Sequence, residues 1–310
     1  MAHFACIELG GTKVNLSAGS GPDDLSPVVR LPTLAPASTL IDTVEHLRRL
    51  AGEQDFDAIG IASFGPVGLT PGTPSYGHLL KTPKPGWSGA DLLGPIAVAF
   101  PGIPIALDTD VNGAALGEAR WGGAQGLDNF AYVTVGTGIG VGLVSNGRPV
   151  HGLLHPEAGH IRVRRQPGDT YAGHCPFHGD CLEGMACGPA IQARTGKAGE
   201  TLSAEDAVWT LTGRYLAELF HSLILIASPQ RILVGGGVGL NETVLSAARE
   251  AVYSGLRGYI EALETLTSFD DFIQPAHLGD RAGIMGALAL AQDAWLKTSR
   301  AVEPSGAQRP

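Results

Sequence analysis

Cysteine, aromatic residues and charge are all scarce in this 310-residue chain, with four Cys, 6% aromatic and 16% charged residues. Four cysteines, two of them (Cys175 and Cys181) in a His-rich loop, are too few and too clustered for a disulfide framework. Positive charge is short as well: 21 Lys and Arg stand against 30 Asp and Glu, a net charge of −9. That balance argues against nucleic acid and anionic membranes as main partners and leaves a small ligand open. No apolar run approaches the ~18 residues of a membrane span. The best, "LFHSLILIAS" (219–228), is short and contains His221. The N-terminus shows no basic segment leading into an apolar stretch and a cleavage site, so no secretory signal is read and the cytoplasm is the expected location.

What the chain has in quantity is glycine, 44 residues, within 44% hydrophobic content. Its use is patterned. "CIELGGTKVNL" (6–16) reads as strand, Gly/Thr turn, strand, and "FAYVTVGTGIGVGLVSNGRPV" repeats the design in the second half, closed by Asn146-Gly147. A Gly-Gly pair serves an ordinary hairpin or a close approach of backbone to a bulky ligand. The repetition suggests an internal duplication and weakens the accidental reading. Between the hairpins come a helix around "LIDTVEHLRRLAG", the buried strand "AIGIASFG", a Gly/Pro/Thr loop from 66 to 87, and a strand ending near Asp108 that runs into a helix capped by Thr109 or Asp110. After the second hairpin the pattern predicts a loop over 151–188, a helix over 204–227, the strand "RILVGGG", a long helix over 241–262, a short strand near "FIQPAHLG" and a last helix from Arg281. Strands alternating with helices imply an α/β fold.

"GTGIGVG" (136–142) leads into a strand and not a helix, which argues against a dinucleotide fingerprint, and "ARTGKAGE" lacks the Ser or Thr of a Walker loop. Two facing Gly/Thr hairpins offer another phosphate cradle, with backbone amides, Thr12, Thr137 and the Lys13 ammonium as donors. Cys175, His178 and Cys181 form Cys-x2-His-x2-Cys, and His160 lies fifteen residues before Cys175. This set suits a tetrahedral zinc site, against the alternative of a loop that is merely rich in His and Cys. His155 and His174 are competing ligands.

Residues 10–13 and 136–140 resemble the phosphate hairpins of the sugar kinase, actin and heat-shock ATPase superfamily, and "LVGGGV" (233–238) resembles its adenosine loop. Glu157-x-x-His160, the cysteine loop and Cys181-x-Glu183 are similar to the signature of the ROK family of sugar kinases. Within it "IELGGTK", "YGHLLKTPKPGW" and "CPFHGDCLEG" look like the bacterial, zinc-containing fructokinase branch, and the match runs from Ala5 to Leu290. Most of the family has Asp where this chain has Glu8, and the commoner metal loop carries Cys where this one has His178. Both departures point to the fructokinase branch.

The resemblance implies a two-lobed, actin-like ATPase fold, a duplicated ribonuclease H-like α/β unit with its active site in the cleft between lobes. It implies a small N-terminal lobe over 1–119, a larger lobe over 120–298 carrying the zinc loop, with a final helix able to pack back on the first lobe, and a disordered tail over 299–310. ATP and Mg²⁺ would be held through Gly10, Gly11, Thr12, Lys13, Thr137, Gly138, Pro189 and the loop Gly235, Gly236, Gly237, Val238 and Gly239. Asp110 would be the general base, with Asp108 as the competing carboxylate. Gly65 (in the loop from Ser63 to Pro66), Asn112, Glu157, His160 and Glu183 would contact the sugar. His160, Cys175, His178 and Cys181 would hold a structural Zn²⁺. The implied activity is ATP-dependent phosphorylation of D-fructose to fructose 6-phosphate. Mannose, glucose or N-acetylmannosamine are alternative substrates of the same family. A homodimer is the family expectation. The family's sugar-sensing repressors carry an N-terminal helix-turn-helix, for which a hairpin beginning at residue 4 leaves no room. A zinc hydrolase would need an open coordination position, which four protein ligands deny.

Overall fold

The computed structural model describes residues 1–52 and 54–302. In chain order the strands and helices are β1 (Phe4–Leu9), β2 (Lys13–Gly19), β3 (Val29–Pro32), α1 (Pro36–Ala51), β4 (Ala58–Ser63), α2 (Gly94–Ala99), β5 (Ile105–Thr109) and α3 (Asp110–Trp121). These are followed by β6 (Phe130–Val135), β7 (Ile139–Ser145), β8 (Arg148–Pro149), α4 (Leu182–Ala186), α5 (Gly188–Thr195) and α6 (Ala207–Ala227). The last are β9 (Ile232–Gly235), α7 (Glu242–Leu256), α8 (Glu261–Glu264), β10 (Ile273–Pro275) and α9 (Ala282–Val302). Among the described residues no helix is long and apolar enough to cross a membrane.

The chain forms two compact units. The first holds Met1–Trp121, His151–His155 and the chain from Asp280 on; the second holds Gly122–Val150 and Pro156–Gly279. The two are nearly equal in length, and residues 151–155 and α9 belong with the first unit. The helix α9 also continues through Val302, past the tail expected from residue 299, and residues 303–310 lie outside the described residues.

Each unit is built on a five-stranded sheet, and the two sheets have the same plan: β3-β2-β1-β4-β5 in the first and β8-β7-β6-β9-β10 in the second. In both, the opening hairpin is antiparallel and the opening strand is also paired in parallel with a later one, β1 with β4 and β6 with β9. This is the internal duplication that the repeated hairpins suggested, in the ribonuclease H-like topology that the family resemblance implied. β1 and β4 are covered on both faces and read as near-continuous apolar runs, "FACIEL" and "AIGIAS". Ile7, Leu9, Leu16, Leu47, Ile59 and Trp87 lie in the first core. Val133, Val141, Tyr215, Phe220, Val234 and Val244 lie in the second. In the first unit α9 crosses α3 at glycine: a Cβ on Gly286 would fall 2.1 Å from the backbone carbon of Gly113, so the crossing admits no side chain at Gly286.

The long helix expected over 241–262 is two helices. Asn241 caps the start of α7, its side chain accepting from Val244 N–H, and α7 ends at Arg257, with φ 50°, before Gly258, with φ 72°. Two consecutive left-handed residues break the helical path, and α8 starts afresh at Glu261. The expected loop over 151–188 contains α4 and a short 3₁₀ turn at Ala158–His160.

Candidate active site and metal centre

In the first unit, β1 and β2 meet in a tight turn in which Gly10 N–H donates to the Lys13 carbonyl at 2.9 Å. Gly11, Thr12 and Lys13 are exposed, and among the described residues the N–H groups of Gly11 and Thr12 meet no acceptor. In the second unit the turn between β6 and β7 is closed by Gly136 N–H on the Gly138 carbonyl at 2.9 Å, with Thr137 exposed. The Gly136 carbonyl accepts from Gly188 N–H at 2.7 Å, which brings the start of α5, and so Pro189, beside that turn. The loop after β9 comes to the same region: Val238 and Gly239 N–H both donate to the Val135 carbonyl, at 3.0 and 3.1 Å. Gly236 makes this possible, since it has φ 81° and a Cβ there would lie 2.4 Å from that carbonyl oxygen. Thr137, Gly138, Pro189 and the Gly235–Gly239 loop therefore converge within the second unit.

At the junction of β5 and α3 two carboxylates stand two residues apart. Thr109 caps the helix, its hydroxyl accepting from Asn112 N–H at 3.1 Å. Asp108 is 5% exposed and fully engaged: it accepts from Thr109 N–H at 2.7 Å, from Asn112 Nδ2 at 2.7 Å and from His151 Nε2 at 3.0 Å. Asp110 accepts from Val111 N–H through Oδ1 at 2.9 Å and also from its own backbone N–H. Dense surroundings push its carboxyl up to about 7, with Glu8 adding to the rise. A carboxylate with an unused oxygen and a pKa near neutrality is suited to take a proton. Glu8 accepts from Asn15 Nδ2 at 2.7 Å and lies against the backbone of Gly283, where a Cβ would fall 2.2 Å from the Glu8 carboxyl carbon.

Asn112, a candidate sugar contact, is wholly buried, its Nδ2 turned to Asp108 and its Oδ1 without a partner. His151 was not singled out by sequence reasoning. It closes over Asp108, which by hydrogen bond and charge raises the imidazole pKa against the lowering effect of burial. Its only sequence signal is a His in an otherwise plain "VHGLLH" connector. Gly65 packs on His155, whose Nε2 accepts from Val67 N–H at 3.1 Å. His155 thus braces the loop after Ser63 and is not among the clustered metal-ligand candidates.

Those candidates are His160, Cys175, His178 and Cys181, whose ligand atoms all lie within 4.8 Å of one another. His160 Nδ1 is 3.5 Å from Cys181 Sγ and 3.7 Å from Cys175 Sγ, and His178 Nδ1 is 3.6 Å from Cys175 Sγ. A tetrahedral zinc with bonds of about 2.3 Å to sulfur and about 2.0 Å to nitrogen sets such ligand pairs about 3.5 Å apart. The donor set and its spacing fit that metal. Burial, with help from Cys175 and Glu183, pushes the Cys181 thiol up to about 11, so a bound cation is what would make it a thiolate. His174 is outside the cluster.

Beside the cluster, Glu183 on the first turn of α4 accepts Ile139 N–H at 2.9 Å through Oε2, while its Oε1 lies 4.0 Å from His160 Nε2. Glu157 is exposed one turn before His160. The loop has anchors of its own. The Asp169 side chain is largely buried, yet hydrogen bonds from Arg194 (2.6 Å) and the Tyr215 hydroxyl (2.5 Å) outweigh that burial and hold its carboxyl at about 2. Asp180 pairs with Arg162 and Arg165, each at 3.0 Å.

Comparison with known proteins agrees with this geometry. A sequence model of the ROK family matches residues 4–294. The fructokinase of Pediococcus pentosaceus is 40% identical over 94% of this chain and 98% of that enzyme. The fructokinase of Zymomonas mobilis is 42% identical over 93% of this chain and 96% of its own length. The crystal structure of a ROK hexokinase from Thermus thermophilus, 27% identical, superposes with a TM-score of 0.73 over 96% of this chain and 99% of that one. Hairpins, Cys/His cluster and carboxylates sit in a fold and a sequence shared along nearly the whole chain, which belongs to the ROK family.

Proposed function

We infer that the chain is an ATP-dependent fructokinase that transfers the γ-phosphoryl group of ATP to O6 of D-fructose. The observation that carries this reading is the 40% identity to a fructokinase across 98% of that enzyme's length. The reactive parts support it. In the first unit Asp110 takes the proton from O6 as the hydroxyl attacks; Val111 N–H engages Oδ1, which leaves Oδ2 for that contact. Asp108 is committed to Asn112 and His151 and orients them. Glu157, His160 and Glu183 are the sugar-binding residues of the second unit, able to hold hydroxyls in fixed directions, and Gly65 and Asn112 are those of the first.

The amides of Gly11 and Thr12, with Lys13, and the turn at Thr137 and Gly138 bind phosphate oxygens. Pro189 and the Gly235–Gly239 loop receive the nucleoside. Mg²⁺ bound with ATP neutralises phosphate charge, and Glu8, fixed by Asn15, is the carboxylate here that would face it through water. Zn²⁺ in the His160, Cys175, His178 and Cys181 set is structural, because four protein ligands complete its shell. The cytoplasm, where ATP and free hexose meet, is the location that goes with this reading.

The test is product identity. With Mg-ATP and fructose, phosphorus-31 NMR of the product should show fructose 6-phosphate; the 1-phosphate, or no phosphorylated sugar, contradicts the reading.

A further inference from the structure

The stretch "KTPKPGW" has no part in the chemistry described so far, yet Lys84 reaches 73 residues back to the phosphate turn. Its Nζ donates to the Gly11 carbonyl at 2.6 Å and lies 3.4 Å from the Thr33 carbonyl. The ammonium sits 5.9 Å over the Trp87 ring, and the Trp87 indole N–H is itself fixed on the Leu34 carbonyl at 2.9 Å. Thr33 completes the arrangement. Its hydroxyl donates to the Gly10 carbonyl at 2.8 Å and its N–H to the Thr12 carbonyl at 3.0 Å. All three carbonyls of the Gly10-Gly11-Thr12 turn are therefore held by Thr33 or Lys84.

In a trans peptide the C=O and the following N–H point in opposite directions. Tying the Gly10 carbonyl to Thr33 aims Gly11 N–H away from Thr33, and tying the Gly11 carbonyl to Lys84 aims Thr12 N–H away from Lys84. These are two amides that meet no acceptor among the described residues. A Gly-Gly turn left to itself samples many orientations, because glycine has little steric preference. A cation on the Gly11 carbonyl also polarises that peptide and makes Thr12 N–H a stronger donor.

We propose that Lys84, with Thr33, is a positioning residue for phosphate binding: it never touches the nucleotide, but holds the turn so that Gly11 and Thr12 present their amides to the triphosphate. The proposal rests on the kinase reading above.

The test compares binding of Mg-ATP and of adenosine by titration calorimetry in wild type, Lys84→Met, Lys84→Arg and Thr33→Val, together with KM for ATP and for fructose. Lys84→Met should weaken Mg-ATP about tenfold, the scale of one charge-assisted hydrogen bond, and leave adenosine unchanged. KM for ATP should rise while KM for fructose stays within about twofold. Lys84→Arg, which keeps the charged donor, should recover most of the loss. Thr33→Val, which removes no charge, should weaken Mg-ATP in the same sense.

Unchanged Mg-ATP binding in Lys84→Met, or equal weakening of ATP and adenosine, overturns the proposal. So does a Lys84→Met loss that Thr33→Val does not share, since Lys84 would then be a direct phosphate contact. Wild-type protein that binds Mg-ATP no more tightly than adenosine overturns the kinase reading itself.

Discussion

His160 and Glu183 face each other at 4.0 Å, and the imidazole that turns Nε2 to the carboxylate turns Nδ1 into the Cys/His cluster, 3.5 Å from Cys181 Sγ. One ring thus joins the metal candidate to the group that would hold sugar. Cys181 and Glu183 are themselves only two residues apart at the start of α4. Disturbing the cluster moves both ends of this pair.

Cys175→Ala should therefore give a folded protein that lacks stoichiometric zinc, with KM for fructose raised and kcat lowered, while nucleotide binding is kept. Isolated zinc fingers depend on the metal for about 10–16 kcal/mol of folding. Here the second unit has its own large core, and Asp169 and Asp180 tie the loop down without metal. Metal analysis, a melting curve and fructose kinetics on one preparation check this. Full activity without zinc would contradict it.

Asp110→Asn keeps the shape and removes the base, and kcat should fall roughly 10²-fold or more. Asp108→Asn should behave differently. It loosens a buried carboxylate that serves Thr109, Asn112 and His151, so stability should fall by about 1–3 kcal/mol with a smaller effect on kcat. Denaturant melts and kcat measured side by side separate the two. A larger kcat loss in Asp108→Asn would reverse the roles.

The pH dependence follows from the Asp110 carboxyl, raised to about 7 by its surroundings and then by Glu8. The ionised form is the working base, so kcat/KM should climb as pH rises toward that value. Glu8→Gln removes the charge that adds to the effect of burial, and the climb should move to lower pH. Stability runs the other way. A carboxyl whose folded pKa is raised stabilises the fold below its unfolded value of about 3.9 and loses that contribution as pH rises through about 7. Melting temperatures across pH 4 to 8 should show wild type losing ground to Asp110→Asn over that window.

Much of this was legible in the chain itself. The two hairpins suggested a duplicated sheet because the same strand, Gly/Thr turn, strand design occurs once in each half, and the Cys175, His178 and Cys181 spacing marked a candidate metal-ligand set on chemistry alone. The junction of β5 and α3 was legible from an apolar strand ending in Asp-Thr-Asp. Other features carried no local signal. β3 is a four-residue, half-exposed edge strand ending in Pro32 inside a Pro-rich passage, where neither periodicity nor composition marks a strand. His151 and Lys84 act through partners 43 and 73 residues away, which only the folded chain brings near. Asn112 stands two residues after Asp110, but no local signal showed that its Nδ2 would bond Asp108.

The Asp169 anchor makes a prediction of its own. Its carboxyl, held at about 2 by Arg194 and Tyr215 against burial, stabilises the fold above the unfolded value of about 3.9 and loses that contribution as pH falls. Asp169→Asn leaves Arg194 without its partner and should cost about 3 kcal/mol at pH 7. The gap from wild type should narrow in urea melts below about pH 4. A gap that does not change with pH would mean the loss is one of packing.

The most direct measurement is ADP release with Mg-ATP across fructose, glucose, mannose and N-acetylmannosamine. A fructokinase should turn over fructose with a kcat/KM at least about tenfold above the other three, the discrimination that one or two well-placed hydroxyl contacts supply. Glucose turned over faster than fructose would contradict the substrate, and no ADP release with any of the four would contradict the kinase.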